Sequence, residues 1–174
     1  MKILNLDNVN TAEEFDRLTP GGYVCGITAI EDVPEKEYLR IEYDIAEGKL
    51  KNYYRTLYNN KGFWGGSTIK SYKEKALPFF KGFITAIEQS NAGYKWDSDE
   101  NKLIRKLVGF VLAEEEYRAK DGSIKTRLYV AHVTSTDKIR NGDFKVPALK
   151  KLPNSNTSSL AEFEEVINDA GVPF

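Results

Sequence analysis

The sequence predicts a mainly β domain: five strands curled into a small barrel, one helix between the third and fourth strands, and short helices near the termini. Three observations carry this reading. Period-two alternation of apolar and polar residues recurs in five stretches. Gly-, Asn- and Pro-rich turn signals separate them. One stretch of helical apolar spacing falls between the third and fourth. At 174 residues and 41% hydrophobic, the chain has room for a single domain with a packed core.

The elements follow in order. Residues 1–20 form a lead-in, where Thr11-Ala12-Glu13-Glu14 has capping-box spacing and predicts a helix over 12–18. Pro20-Gly21-Gly22 ends it. Tyr23–Ile30 reads as a strand, with Tyr23, Cys25, Ile27 and Ala29 on one face. After a turn at Val33-Pro34-Glu35-Lys36, Tyr38–Ile45 alternates cleanly, setting Leu39, Ile41, Tyr43 and Ile45 against Arg40, Glu42 and Asp44. Glu47-Gly48-Lys49 turns the chain into a third strand at Lys51–Tyr58, which Asn59-Asn60-Lys61-Gly62 closes. Ser71 is the expected cap of a helix reaching about Ser90, with Ala76, Leu77, Phe80, Phe83, Ile84 and Ile87 at helical spacing. Pro78 moves its start toward Leu77. Asn91-Ala92-Gly93 and a polar loop lead to a strand at Leu103–Tyr117, and Asp121-Gly122 turns it into Ile124–Thr134. From Ser135 the chain reads as loop. The division is a lead-in (1–20), a barrel domain (21–150) and a tail (151–174). Strand–strand–strand–helix–strand–strand is the order of the OB fold, whose surface binds single strands or oligosaccharides. The fold leaves function open.

Charge is segregated along the chain. The formal net charge is only −1, yet residues 154–174 carry −4 with no Lys or Arg, leaving +3 on residues 1–153. Between Lys49 and Phe83 lie eight basic residues against one acid, Glu74, together with nine of the 21 aromatics. Binding a single strand without sequence preference needs both: cations neutralise phosphates, and flat rings stack on bases. The expected nucleic-acid contacts are Lys49, Lys51, Arg55, Lys61 and Lys70 for phosphates, with Tyr53, Tyr58, Phe63 and Trp64 for bases. Phe80 and Phe83 read as core. Gly65-Gly66 either admits a ligand backbone or forms a bulge that curves the sheet.

The tail closes with Asn168-Asp169-Ala170-Gly171-Val172-Pro173-Phe174. This resembles the C-terminal tip of bacterial-type single-stranded DNA-binding proteins, an acidic stretch ending in Pro-Phe. The resemblance implies that Asp169, Pro173 and Phe174 recruit replication or recombination proteins. Ser159 and Glu162 also have capping-box spacing, with Leu160, Phe163, Val166 and Ile167 as an apolar stripe, which predicts a terminal helix over 159–169. In the body, Pro20-Gly21-Gly22-Tyr23, Tyr38–Ile45, Val108-Gly109-Phe110-Val111 and Glu115-Glu116-Tyr117 resemble a family of phage-encoded single-stranded DNA-binding proteins with an OB fold. That resemblance implies a role in phage DNA replication or recombination, in the cytoplasm of a bacterial host. Charge segregation adds that the acidic tail occupies the basic groove when DNA is absent.

Other classes find less support. One cysteine, Cys25, excludes an internal disulfide, and one histidine, His132, excludes the usual His/Cys zinc sites. No cofactor pattern is present, and no apolar run approaches the roughly 20 residues a bilayer needs. The expectation is a non-enzymatic protein of a reducing compartment. Asp32 with Glu47-Gly48-Lys49 superficially matches the acid…Glu-x-Lys pattern of metal-dependent nucleases. Glu114-Glu115-Glu116 reads as a solvated run. A protein-interaction or carbohydrate-binding barrel is the main alternative, but neutral sugars gain nothing from the lysine excess. A barrel edge can pair across a symmetry axis to form a homodimer, although no interface is legible.

Overall fold

The computed structural model describes residues 2–7 and 16–153. Its elements run β1 (Gly21–Val33), β2 (Tyr38–Ile45), α1 (Tyr53–Lys61), β3 (Ser67–Ser71), α2 (Leu77–Ser90), β4 (Leu107–Arg118), β5 (Ile124–Thr134) and α3 (Thr136–Arg140). The five strands form one antiparallel sheet in the order β3-β2-β1-β4-β5. The architecture is thus mainly β, as expected, but the sheet is open. Among the described residues no ladder joins β3 to β5, so the expected closed barrel is not formed. The reason lies in α2, which packs against β3, β4 and β5 and seats Phe83, Ile84, Ala86 and Ile87 in the core. A helix covers apolar surface that edge-to-edge pairing would otherwise enclose. Burying Phe83 and Ile87 stabilises the fold by about 1.5–3 kcal/mol each.

Strand patterning places the core. Leu39, Ile41, Tyr43 and Ile45 of β2 are all buried, in the predicted alternation. In β1, Cys25 and Ile27 join them, and a register shift between Ile27 and Ala29 brings Ile30 against the same cluster. Val108, Phe110 and Leu112 of β4 complete the layer. Cys25 is fully buried, and burial, followed by the charge of Asp44, pushes its thiol far above the ordinary range.

The back of β1 and β4 carries a second, smaller core of Val24, Val111 and Ile139, with Phe144 packed on it. Two glycines make room for it. A Cβ on Gly22 would lie 2.5 Å from the Phe144 ring, and one on Gly109 would lie 2.6 Å from Ile139 Cγ1. Ser135 caps α3 by accepting the Lys138 N–H at 3.4 Å, so a short helix follows β5 where loop was expected. The chain then returns along β4: Glu116 N–H donates to Lys150 O at 2.8 Å, and Lys150 N–H to Glu114 O at 3.0 Å. Glu115 is paired with Arg127 at 2.8 Å, and Glu116 accepts the Leu152 N–H at 3.1 Å. The acid run expected to be solvated is therefore partly structural.

The largest correction concerns the third strand. Of the residues expected as a strand at Lys51–Tyr58, Tyr53–Tyr58 lie in α1 and the first two in the turn before it, and the third strand is Ser67–Ser71. The α1 N-cap, Asn52, is left-handed (φ 62) and makes no side-chain cap bond. Its place is taken by Asp44 of β2, whose carboxylate accepts the N–H groups of Tyr54 at 2.8 Å and Arg55 at 3.1 Å. Ile45 N–H donates to the same carboxylate at 2.8 Å. Gly62 (φ 75) ends the helix, donating its N–H to Tyr58 O at 2.7 Å. The predicted start of α2 near Leu77 agrees with the structure, with Pro78 in its first turn; Ser71 instead ends β3. β4 starts at Leu107, later than expected, after a 3-10 turn at Glu100–Leu103. Of the expected helix over 12–18, residues 12–15 lie outside the described residues and Asp16–Leu18 are not helical.

Asp44→Ala is expected to destabilise the fold by about 2–4 kcal/mol, because it orphans N–H groups at the α1 terminus. Asp44→Asn, which keeps one acceptor oxygen, should cost about half as much in urea unfolding. Cys25 should react with a disulfide reagent at pH 8 only as fast as the protein unfolds. Rapid labelling of the native protein would contradict its burial.

Candidate nucleic-acid interface

Once Asp44 fixes the α1 terminus, helical spacing sorts the tyrosines. Tyr54 is buried and meets Tyr43 of β2 edge-on, with ring centroids 5.5 Å apart. Tyr53 is half-buried and lies edge-on to Tyr54 at 5.2 Å. Tyr58, one turn after Tyr54, reaches past the core and is 51% exposed.

The linker from α1 to β3 folds back over these rings. Trp64 sits 6.3 Å from Tyr54 and 6.4 Å from Tyr58, and its indole N–H donates to Gly66 O at 3.0 Å. That carbonyl also accepts the Tyr43 N–H at 2.8 Å. A Cβ on Gly66 would lie 2.3 Å from Tyr43 O and 2.5 Å from the Tyr54 ring. The space at Gly66 is filled by the protein's own Tyr43 backbone and Tyr54 ring, leaving no room for a ligand backbone. Phe63, held just outside this packing, is 54% exposed.

Tyr58 and Phe63 are thus the exposed rings of the predicted set, while Trp64 and Tyr53 are half-buried beside them. Lys51, Arg55 and Lys61 are exposed along α1 and the turn before it. Lys49 is exposed too, and is paired with Asp16 at 2.9 Å. Lys70 stands apart on β3, half-buried and in register with Leu39. From Gly48 to Lys73 the chain contains no acid, so α1 and its linker form a cationic surface bearing two open rings. Asp169, Pro173 and Phe174, and the helix expected over 159–169, lie outside the described residues.

The nuclease-like triplet does not converge. Asp32 is in register with Leu39 near the start of β2, whereas Glu47 follows its end. Those positions are about 20 Å apart at 3.3 Å per strand residue. Each member is engaged elsewhere. Asp32 accepts the Tyr72 hydroxyl at 2.7 Å, a bond that pushes the phenol up to about 12. Glu47 pairs with Arg140 at 2.5 Å, which lowers its carboxyl below the ordinary value. Among the described residues, no three His, Cys, Asp or Glu side chains are grouped to hold a metal ion, and no helix is long and apolar enough to cross a membrane.

Two further surfaces escaped the sequence reading, both along α2. A mainly apolar groove of about 520 Å3 is lined by Leu77, Pro78, Phe80, Ile84 and Trp96, with Lys81 on its border with the next groove. A polar one of about 400 Å3 runs between α2 and the corner joining β5 to α3. Its Lys138 lies far along the chain from the basic window, so counting charges by segment does not reveal it. No protein-family model matches this chain, and no curated protein is significantly similar to it.

Gly66→Ala is expected to cost about 2–3 kcal/mol, since neither the Tyr43 carbonyl nor the buried Tyr54 ring can withdraw. The loss should appear in urea unfolding, accompanied by a shift in tryptophan emission as Trp64 loses its carbonyl partner. A variant as stable as the parent would contradict the close approach.

Proposed function

We propose that this chain is a non-catalytic single-stranded DNA-binding protein, of an OB-type architecture opened between its third and fifth strands. The strand order supports that architecture: β1 sits between β2–β3 and β4–β5, and α2 lies between β3 and β4 in sequence. The observation that carries the function is the pairing of exposed Tyr58 and Phe63 with Lys51, Arg55 and Lys61 on an acid-free segment. The rings stack on bases and the cations follow the phosphates. Trp64 holds Tyr58 in place rather than stacking itself. Phage DNA replication or recombination is the proposed setting, with the acidic tail as the partner-recruiting segment.

Fluorescence anisotropy of a labelled dT30 oligonucleotide tests this. Affinity should fall with salt with a log–log slope of about −2 or steeper, since the three phosphates met by Lys51, Arg55 and Lys61 contribute about 0.7 each. Duplex DNA should compete poorly. Tyr58→Ala and Phe63→Ala should each weaken binding about ten-fold, as expected for loss of one stacked base, with unchanged unfolding midpoints. Salt-independent binding, or none at micromolar protein, would overturn the reading.

A further inference from the structure

Gly82 stands in the middle of α2, exposed, and a Cβ built on it meets no atom within 4 Å. A glycine inside a helix is less favourable than alanine, and nothing packed within the described residues requires the missing side chain here. Gly82 leaves a strip of bare α2 backbone open along the polar groove, which it lines. Phe79 lies one turn earlier on the same flank of α2 and is 64% exposed. Lys81 and Thr85 border the groove from the helix, and Lys138 lines it from α3. No acid lines the groove, and neither lysine has a carboxylate partner among the described residues. Asp137, the sequence neighbour of Lys138, is engaged by Arg140 at 3.2 Å.

We infer that this groove is a second contact surface for single-stranded nucleic acid, in which Lys81 and Lys138 hold phosphates and Gly82 admits the sugar–phosphate backbone against α2, while Phe79, on α2 just outside the groove, receives a base. The inference rests on the function proposed above and adds a separate site to it. Charge complementarity selects the occupant. Two cations without a facing acid call for an anion, and an exposed ring one helical turn from Gly82, beside the groove rather than in its lining, suits a planar partner. A neutral sugar gains nothing from the lysines, and an acidic protein segment supplies charge without a base for Phe79.

The test uses the full chain, dT30 and a labelled poly-glutamate peptide. The Lys81→Ala/Lys138→Ala pair should bind dT30 about ten-fold more weakly and reduce the salt slope by about 1.4, two phosphates at about 0.7 each. Gly82→Leu should weaken dT30 binding several-fold while its thermal midpoint stays at or above the parent's, a combination that misfolding cannot produce. Phe79→Ala should weaken binding with no change in salt slope. If all these variants bind like the parent while Tyr58→Ala and Phe63→Ala still lose affinity, the groove is overturned and the proposed function stands. If the parent shows no salt-sensitive dT30 binding, the proposed function fails and takes this site with it. Poly-glutamate bound as tightly as dT30, and lost in the same variants, overturns the inference in favour of an acidic protein partner.

Discussion

Taking a carboxylate out of water costs several kcal/mol unless its oxygens find donors, and Asp44 is only 6% exposed. Its oxygens accept three backbone N–H groups, two of them from the first turn of α1. The exchange serves both sides: the charge is solvated by the backbone, and a helix without a cap of its own gains one, aligned with the positive end of its dipole. Asp44 is itself held by the ladder, in register with Gly26 of β1. Its neighbour Tyr43 points the opposite way and touches both Tyr54 and Phe110. Adjacent residues on the two faces of β2 therefore grip the same helix. The positions of Tyr58, the linker and Phe63 all depend on that grip.

The same region shows why β3 is short. β3 pairs with β2 only over Tyr38–Glu42. Beyond that, the edge of β2 is satisfied by other parts of the chain: Tyr43 N–H donates to Gly66 O at 2.8 Å, and Ile45 O accepts the Asn52 N–H at 2.9 Å. The edge of β4 beyond β1 is likewise taken by Lys150. An open sheet exposes more backbone edge than a barrel, and unpaired buried backbone groups are costly. Here turns and returning segments cover the stretches that strands leave bare. Where the chain lies closest to itself the residue is glycine, as at Gly66 against Tyr43 and Gly22 against Phe144.

What could be read from the sequence follows from how local each cause is. β2 was legible to the residue because alternation is written within the strand itself, and β5 because the Asp121-Gly122 turn sets where the partner strand begins. The start of α2 was legible because Pro78 fits only the first turn of a helix. α1 was not, because its cap lies ten residues away on another strand, and the spacing of Tyr54 and Tyr58 suits a helix as well as a strand. β3 was hidden because its five residues include one aliphatic side chain, Ile69. At the candidate site, composition marked a segment but could not say which of its rings stay open. Tyr54 and Trp64 were spent on packing, while Tyr58 and Phe63 were left outside. Counting lysines along the chain also missed pairing across it, as between Lys49 and Asp16.

The distribution of covered surface decides where binding chemistry can sit. Over β1 and β4, one face of the sheet is sealed by the main core and the other by α3 and Phe144. A sheet covered in this way offers a ligand little strand surface. Exposed rings and acid-free cations are instead carried by the covering elements, Tyr58 on α1, Phe63 on its linker and Phe79 on α2. These rings lie on separate supports, so the sheet acts as a frame that fixes their spacing. Because α1 is anchored through Asp44 and α2 through its own buried face, each surface can be altered without unseating the other. Additivity of variants on the two helices in stability is the physical consequence, and coupling between them would have to travel through a ligand bound to both.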